Sequence, residues 1–334
     1  MNKKYVAQLT GIGSYVPEQV ITNHDLEKIV DTNDEWIQTR TGIQERRKAS
    51  VAQSTSDLST IAAEIALAEA GISAESVDAI IVATTTPDMN FPSTACLVQK
   101  NIGANHAFAY DVSAACAGFM FALSNASLYI ENGMCENILV IGADIMTHIT
   151  NFADRNTCVL FGDGAGAILL QKSAKSTGLI KTSLGSDGRY GNILSVPAGG
   201  TRIPLTEETL PLKKHYIDMN GSEVFKMAVR AMGANAKELL ADTGYHIDQV
   251  DWLIPHQANK RIIDTLGKKM GIPKEKVFMN LQHYGNMSAA SIPVALDEAY
   301  RSDLLKRDDL ILMVAFGGGL AWGSSLLQWT LEKQ

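Results

Sequence analysis

The sequence predicts an α/β protein made of two halves built on one plan, each a largely parallel sheet covered by helices on both faces. Three observations predict it. Short, continuous apolar runs alternate with helix-like stretches, the signature of strands buried on both sides. The same order of elements occurs twice. Each half also closes on a glycine-rich turn, Phe161-Gly162-Asp163-Gly164-Ala165-Gly166 and Phe316-Gly317-Gly318-Gly319.

The elements follow in parallel. A helix over 59–70 stops at Gly71, then Val77-Asp78 leads into an apolar strand over 79–83. A helix over 225–240 stops near Gly244, then Val250-Asp251 leads into a strand over 252–255. Each strand meets a loop and a further helix, ending at Gly103 and at Gly271, where glycine suits the left-handed cap. A buried strand over 107–112 turns through Ser113-Ala114-Ala115-Cys116 into a helix over 117–130. Its counterpart over 277–281 turns through His283-Tyr284-Gly285-Asn286 into a helix over 288–300. Apolar strands over 137–141 and 310–315 complete the halves, which divide as 1–172 and 173–334. Counted from Ala107 and Val277, Cys116 and Asn286 take equivalent places.

The 334 residues are 46% hydrophobic and 19% charged, enough to bury a large core and to exclude global disorder. A net charge of −7 argues against a nucleic-acid-binding surface. No signal-peptide run precedes Thr10, and no stretch approaches the roughly 20 apolar residues of a membrane helix. The four cysteines, Cys96, Cys116, Cys135 and Cys158, lack CxxC spacing and metal-ligand clustering. Reduced thiols in a cytoplasmic protein are the plain reading.

Cys116 stands among small residues where a strand turns into a helix. The helix N-terminus lowers a thiol pKa, and small neighbours admit a bulky donor. The alternative is a buried cysteine acting as a small hydrophobe; Cys96, Cys135 and Cys158 read that way. His256 ends the run Trp252-Leu253-Ile254-Pro255, at the carboxyl end of a strand, where α/β sheets place ligands. His283, close to Asn286, is the reserve histidine. Asn286 on its own fits a helix N-cap. As a set, Cys116, His256 and Asn286 supply a nucleophile and two neutral donors for a thioester enolate. No glycine run fits a nucleotide: residues 162–166 lack the Lys-Ser/Thr of a P-loop, Gly11-Ile12-Gly13 lacks a third glycine, and Gly317-Gly318-Gly319 reads better as backbone brought close to a substrate. A helix over 258–270 carries Lys260, Arg261, Lys268 and Lys269, a basic face in an acidic chain that suits an anionic partner.

Several motifs together resemble the β-ketoacyl-acyl-carrier-protein synthase III family. They are Ser113-Ala114-Ala115-Cys116-Ala117-Gly118-Phe119, Ile254-Pro255-His256-Gln257-Ala258-Asn259, Gly285-Asn286-Met287-Ser288-Ala289-Ala290 and Phe316-Gly317-Gly318-Gly319. Asp34-Glu35-Trp36-Ile37, Arg40-Thr41-Gly42-Ile43 and residues 161–167 match as well, and the likeness runs from about Leu9 to Trp329. Met287 replaces a threonine common in that motif.

The resemblance implies a thiolase-like fold, a five-layered αβαβα body that forms a homodimer. It implies that a short acyl-CoA, a substrate rather than a bound cofactor, acylates Cys116. His256 and Asn286 would then hold the thioester of malonyl-acyl-carrier-protein during decarboxylative condensation. The N–H groups of Cys116 and Gly318 would form the oxyanion hole. Thr32, Trp36, Arg40, Arg155, Gly221 and Asn259 would bind CoA. Gln257, Ala258, Asn259, Lys260, Arg261, Lys268 and Lys269 would meet the carrier protein, and Phe91 would close the acyl pocket of the neighbouring subunit. The absence of cysteine after Cys158 separates the chain from thiolases, and Thr84-Thr85-Thr86 stands where hydroxymethylglutaryl-CoA synthases carry a glutamate. A specialised starter or chain-closing synthase of secondary metabolism would share these motifs.

Overall fold

The computed structural model describes residues 5–175 and 177–333. In chain order the first half comprises β1 (Val6–Tyr15), β2 (Gln19–Thr22), α1 (Asn23–Glu27), α2 (Asp34–Thr41), β3 (Glu45–Lys48), α3 (Thr55–Ala70), β4 (Ala79–Ala83), α4 (Thr94–Ile102), β5 (Phe108–Val112), α5 (Gly118–Glu131), β6 (Asn137–Ile145), α6 (Arg155–Cys158) and β7 (Asp163–Ser173). The second comprises β8 (Leu179–Ser186), β9 (Leu194–Ser195), β10 (Asp218–Met219), α7 (Gly221–Thr243), β11 (Trp252–Pro255), α8 (Lys260–Met270), α9 (Leu281–Tyr284), α10 (Ser291–Arg301), β12 (Leu310–Gly317) and β13 (Ala321–Gln328).

The two main sheets repeat one topology. The first runs β1-β7-β6-β4-β5 and the second β8-β13-β12-β11. In each, the strands that precede and follow the inner helix pair in parallel, β4 with β6 and β11 with β12; β5 adds a further parallel pair beside β4, and the remaining pairs are antiparallel. A shared tether fixes the parallel register. Asp78 accepts the Asn137 N–H at 2.9 Å, and Asp251 accepts the Leu310 N–H at 2.9 Å, each across 59 residues.

Period-two alternation sends successive side chains to opposite faces, so an all-apolar strand joins two cores at once. Ile80 and Val82 point outward to Ala62, Ala66 and Leu67 of α3. Ile81 points inward, to the cluster that holds Phe119 and Leu123 of α5. In the second half Leu312 and Val314 meet Val229 and Leu239 of α7, while Ile311 and Met313 join the same inner cluster with Ile292 and Leu296 of α10. Outer helices, sheet, inner helices α5 and α10, sheet and outer helices make five layers, αβαβα.

Several details differ from the sequence reading. The strand at 107–112 forms as β5 but is an exposed edge, with Phe108 43% accessible. Residues 277–281 keep only one bridge of a strand, Val277 to Leu253, before turning into the short helix α9. Residues 162–166 are not a turn but enter the long strand β7. Their glycines admit the central layer: a Cβ on Gly164 would stand 2.6 Å from Met287 Sδ, and one on Gly166 2.7 Å from Pro293 Cβ. Helix α8 starts at Lys260, capped by Asn259, rather than at Ala258.

The proposed equivalence of Cys116 and Asn286 also shifts. Ala115 (φ +47°) and Ser288 (φ +49°) both adopt the left-handed conformation at the entry to an inner helix. Each opens a single 3₁₀ turn, Ala115–Ala117 and Ser288–Ala290. Backbone geometry therefore matches Cys116 with Ala289. The excursion through α9 displaces a simple residue count.

Candidate active site

The two inner-helix entries face a cavity of about 1000 Å³. Cys116, His256, Asn286, Ser288, Phe316 and Gly318 all line it. Residues from both halves thus converge at one place.

Cys116 sits in the 3₁₀ turn before α5 and is 8% exposed. The turn β12–β13 presses on its backbone: a Cβ on Gly317 would lie 2.6 Å from the Cys116 nitrogen. Only glycine permits that approach, and it brings Gly318 to the cavity wall beside the thiol. The helix terminus led to the expectation of a lowered thiol pKa; the balance runs the other way. Burial pushes Cys116 up to about 12, against the pull of the Ser288 hydroxyl, and the charge of Asp144 adds to the rise. The resting side chain is a neutral thiol.

His256 follows β11 and is 4% exposed. Its N–H donates to Val314 O of β12 at 2.8 Å, which fixes the backbone at the sheet's carboxyl edge. Burial lowers the imidazole pKa to about 4, so the ring is neutral at physiological pH. Its Nδ1 is buried with no hydrogen-bond partner among the described residues.

Asn286 is held by its backbone across the halves. Its N–H donates to Leu160 O at 2.8 Å, and its carbonyl accepts from Gly162 N–H at 3.1 Å. The fully buried Arg46 anchors that strip by donating to Val159 O at 2.8 Å. The side-chain Oδ1 accepts the Ser288 N–H at 2.9 Å. With that oxygen occupied, Nδ2 is the part of the amide left to donate, in a residue that lines the cavity. The Ser288 hydroxyl, without a nitrogen or oxygen partner among the described residues, lies against the Cys116 thiol. Ser288 has no distinguishing signal in the sequence.

At the mouth, the Trp36 ring is flanked by two guanidinium groups, Arg155 at 4.8 Å and Arg40 at 5.8 Å from its centroid. Arg155 also donates to Asp31 O at 2.9 Å, next to Thr32. Asn259 Nδ2 donates to Arg40 O at 3.1 Å, joining α2 to the cap of α8. Arg40, Gly221, Ala258, Asn259 and Arg261 line the cavity. Arg261 lies over the Phe225 ring at 5.8 Å. Lys268 and Lys269 are exposed on the same helix, and Lys260 pairs with Asp264.

Gln257 must be withdrawn from the carrier-facing set. It is fully buried and donates to Pro255 O at 2.8 Å, while its Oε1 accepts the Asn280 N–H at 3.0 Å. It braces the loop behind His256. His283, the reserve histidine, is exposed on α9 and does not line the cavity. Nor do Cys96, Cys135 or Cys158. Phe91 is 85% exposed, outside its own chain's cavity.

Residues 110–188 match the family model of 3-oxoacyl-(acyl-carrier-protein) synthase III, and residues 240–329 match its C-terminal model. The chain is 52% identical over 330 residues to a β-ketoacyl-(acyl-carrier-protein) synthase III of Caldanaerobacter subterraneus subsp. tengcongensis, covering 99% of this chain and 100% of that protein. The chain belongs to the β-ketoacyl-acyl-carrier-protein synthase III family.

A Natranaerobius thermophilus member is 53% identical, covering 97% of this chain and 99% of its own length. The crystal structure of the Aquifex aeolicus enzyme superposes with a TM-score of 0.90 at 48% identity, over 97% of this chain and 100% of that one. The protein is thus a condensing acyltransferase that initiates fatty acid synthesis, with the thiolase-like two-half arrangement of its family. Among the described residues no helix is long and apolar enough to cross a membrane. Met287, read in the sequence as a departure from the family motif, is fully buried with its Sδ against Gly164.

Proposed function

We propose that Cys116 takes a short acyl group from acyl-CoA and passes it to the carbanion formed from malonyl-acyl-carrier-protein. The observation that carries this reading is the convergence of Cys116, His256 and Asn286 in one cavity. In the first step the sulfur attacks the thioester carbonyl, the C–S bond to CoA breaks, and the Cys116 proton passes to the CoA sulfur. The exchange trades one thiol for another with no net proton, which accords with a neutral resting thiol. The N–H groups of Cys116 and Gly318, at the wall that Gly317 brings close, receive the oxyanion.

In the second step the malonyl C–C bond breaks and CO2 leaves. His256 and Asn286 donate to the thioester oxygen as the enolate forms. Both are neutral donors, so they stabilise the enolate oxygen without themselves adding a cation that would hold the malonyl carboxylate. The enolate carbon attacks the acyl-Cys116 carbonyl, the C–S bond breaks, and the freed sulfur takes up a proton. Each donor aimed at the developing charge contributes about 3 kcal/mol.

Trp36, Arg40 and Arg155, with Thr32, Gly221 and Asn259, would clasp the CoA adenine and phosphates. Their clustering at the cavity mouth supports that role. CoA thus enters as substrate and no cofactor stays bound. Arg261, Lys268 and Lys269, with Lys260, Ala258 and Asn259, would receive the acidic carrier protein. A homodimer would cover the β5 edge and insert Phe91 of each chain into the other's acyl pocket; the exposure of Phe91 and Phe108 supports it. Substrates carried on CoA and a carrier protein place the reaction in the cytoplasm.

Intact mass after incubation with a panel of acyl-CoAs, followed by peptide mapping, tests the reading. A mass gain confined to the Cys116 peptide is expected. Folded protein that gains no mass from any donor would overturn the priming step.

A further inference from the structure

A buried carboxylate, unused in the steps above, lies beneath the site. Asp144, near the end of β6, is fully buried. Its Oδ1 accepts N–H groups from Thr85 at 2.8 Å and Thr86 at 3.2 Å, and hydroxyls of Thr84, Thr85 and Thr86 at 3.1, 3.1 and 3.0 Å. Thr86 Oγ1 itself receives the Ile145 N–H at 2.8 Å, which leaves its proton for the carboxylate. The other oxygen, Oδ2, reaches into the second half and accepts the Ala289 N–H at 3.1 Å.

Ala289 follows Ser288, whose φ of +49° costs energy in a residue with a Cβ and is kept only where its surroundings over-determine it. Two contacts supply that hold. The carbonyl of Ala289 packs on β6, where a Cβ on Gly142 would stand 2.2 Å from it, and the N–H of Ala289 is bound by Asp144. The held turn aims the Ser288 N–H at Asn286 Oδ1, and this bond sets which end of the Asn286 amide faces the cavity.

We propose that Asp144 is a positioning residue for the malonyl half-reaction. Through the Ala289 N–H it fixes the Ser288 turn, and through that turn the donor end of Asn286. The proposal rests on the reading that Asn286 donates to the enolate. Cys116 enters its own helix through a separate turn braced by Gly317, so the Asp144–Ala289 bond does not set its backbone, and the Asp144 charge, which raises the thiol pKa, only opposes its ionisation. Asp144 therefore divides the two half-reactions, although it lies in the half that carries the nucleophile. A loop anchor for Thr84–Thr86 alone would not produce that division.

The test is Asp144→Asn, which keeps the shape but places an NH2 group against donors on one side or the other. Two rates are compared with those of the parent enzyme: acyl transfer from acyl-CoA to Cys116 by mass, and CO2 release from malonyl-acyl-carrier-protein. Decarboxylation is expected to fall on the order of tenfold or more, while acylation slows by less than about threefold, because losing the carboxylate charge eases the ionisation of Cys116. Equal loss of both rates, or loss of neither, overturns the role. Failure of the parent enzyme to acylate or decarboxylate would instead overturn the underlying reading. If Asp144→Asn does not fold by circular dichroism, Thr86→Val decides, because it removes one hydroxyl from the same carboxylate without adding charge. It is expected to slow decarboxylation roughly threefold with acylation unchanged, and an unchanged decarboxylation rate would sink the proposal.

Discussion

At the entry to α5 the chain turns through Ala115 into a 3₁₀ turn that presents Cys116; at the entry to α10 it turns through Ser288 into the same structure and presents Ala289. The backbones agree to within a few degrees in φ, +47° against +49°. Their surroundings do not. The first turn is pressed by Gly317 and opens its side chain to the cavity. The second is pressed by Gly142, tied by Asp144, and uses its Ser288 N–H to orient Asn286. Duplication supplied two equivalent turns at the centre of the molecule. One carries Cys116, the proposed nucleophile, and the other binds the side chain of Asn286, the proposed donor.

The sharpest way to break that comparison is Cys116→Ala. Acylation should be abolished and condensation fall by roughly a thousandfold or more, while decarboxylation of malonyl-acyl-carrier-protein continues. Loss of both half-reactions with an intact fold would mean the turns do not divide the chemistry. Asn286→Ala is the converse. It should cut decarboxylation about a hundredfold and spare acylation, measured as CO2 release against mass gain on Cys116.

Protonation separates the two sides next. Since burial holds Cys116 up at about 12, alkylation by iodoacetamide should keep rising with pH past 9, where an ordinary thiol levels off. His256, with its pKa lowered to about 4, stays neutral, so decarboxylation should be flat from about pH 7 down to about pH 5. The same depression means the unfolded chain binds the extra proton first. This contribution to stability is therefore complete above about pH 6.5 and lost as pH falls toward 4. A decarboxylation rate that halves near pH 6.5 would show an exposed, ordinary histidine.

A smaller effect is expected outside the cavity, where Arg261→Glu should raise KM for malonyl-acyl-carrier-protein several-fold with little change for a small malonyl thioester. An unchanged KM would remove α8 as the docking face. The smallest effect tests the duplication itself. Asp78→Asn and Asp251→Asn remove matched tethers of the parallel strands and should each cost about 1 kcal/mol by chemical denaturation. A large difference between them would show that the two halves contribute unequally to stability.

The sequence by itself determined the element order, the repeat and the three side chains that meet in the cavity. Apolar strands buried on both faces carry an unmistakable local pattern, and a cysteine, a histidine and an asparagine are the residue types that thioester condensation requires. Only the tertiary structure decided the rest. The register between halves depended on the detour through α9, which no residue count anticipates. The glycines at 162–166 looked like a turn because a glycine chosen for close approach by another layer is indistinguishable, in one dimension, from one chosen for a bend. Gln257 sat in a motif beside His256 yet faces the core, and Asp144 had no motif at all. The neutrality of Cys116 followed from burial overriding a helix terminus. Burial, charge proximity and packing across 145 residues of chain, as between Asp144 and Ala289, are properties of the assembled layers and not of any segment.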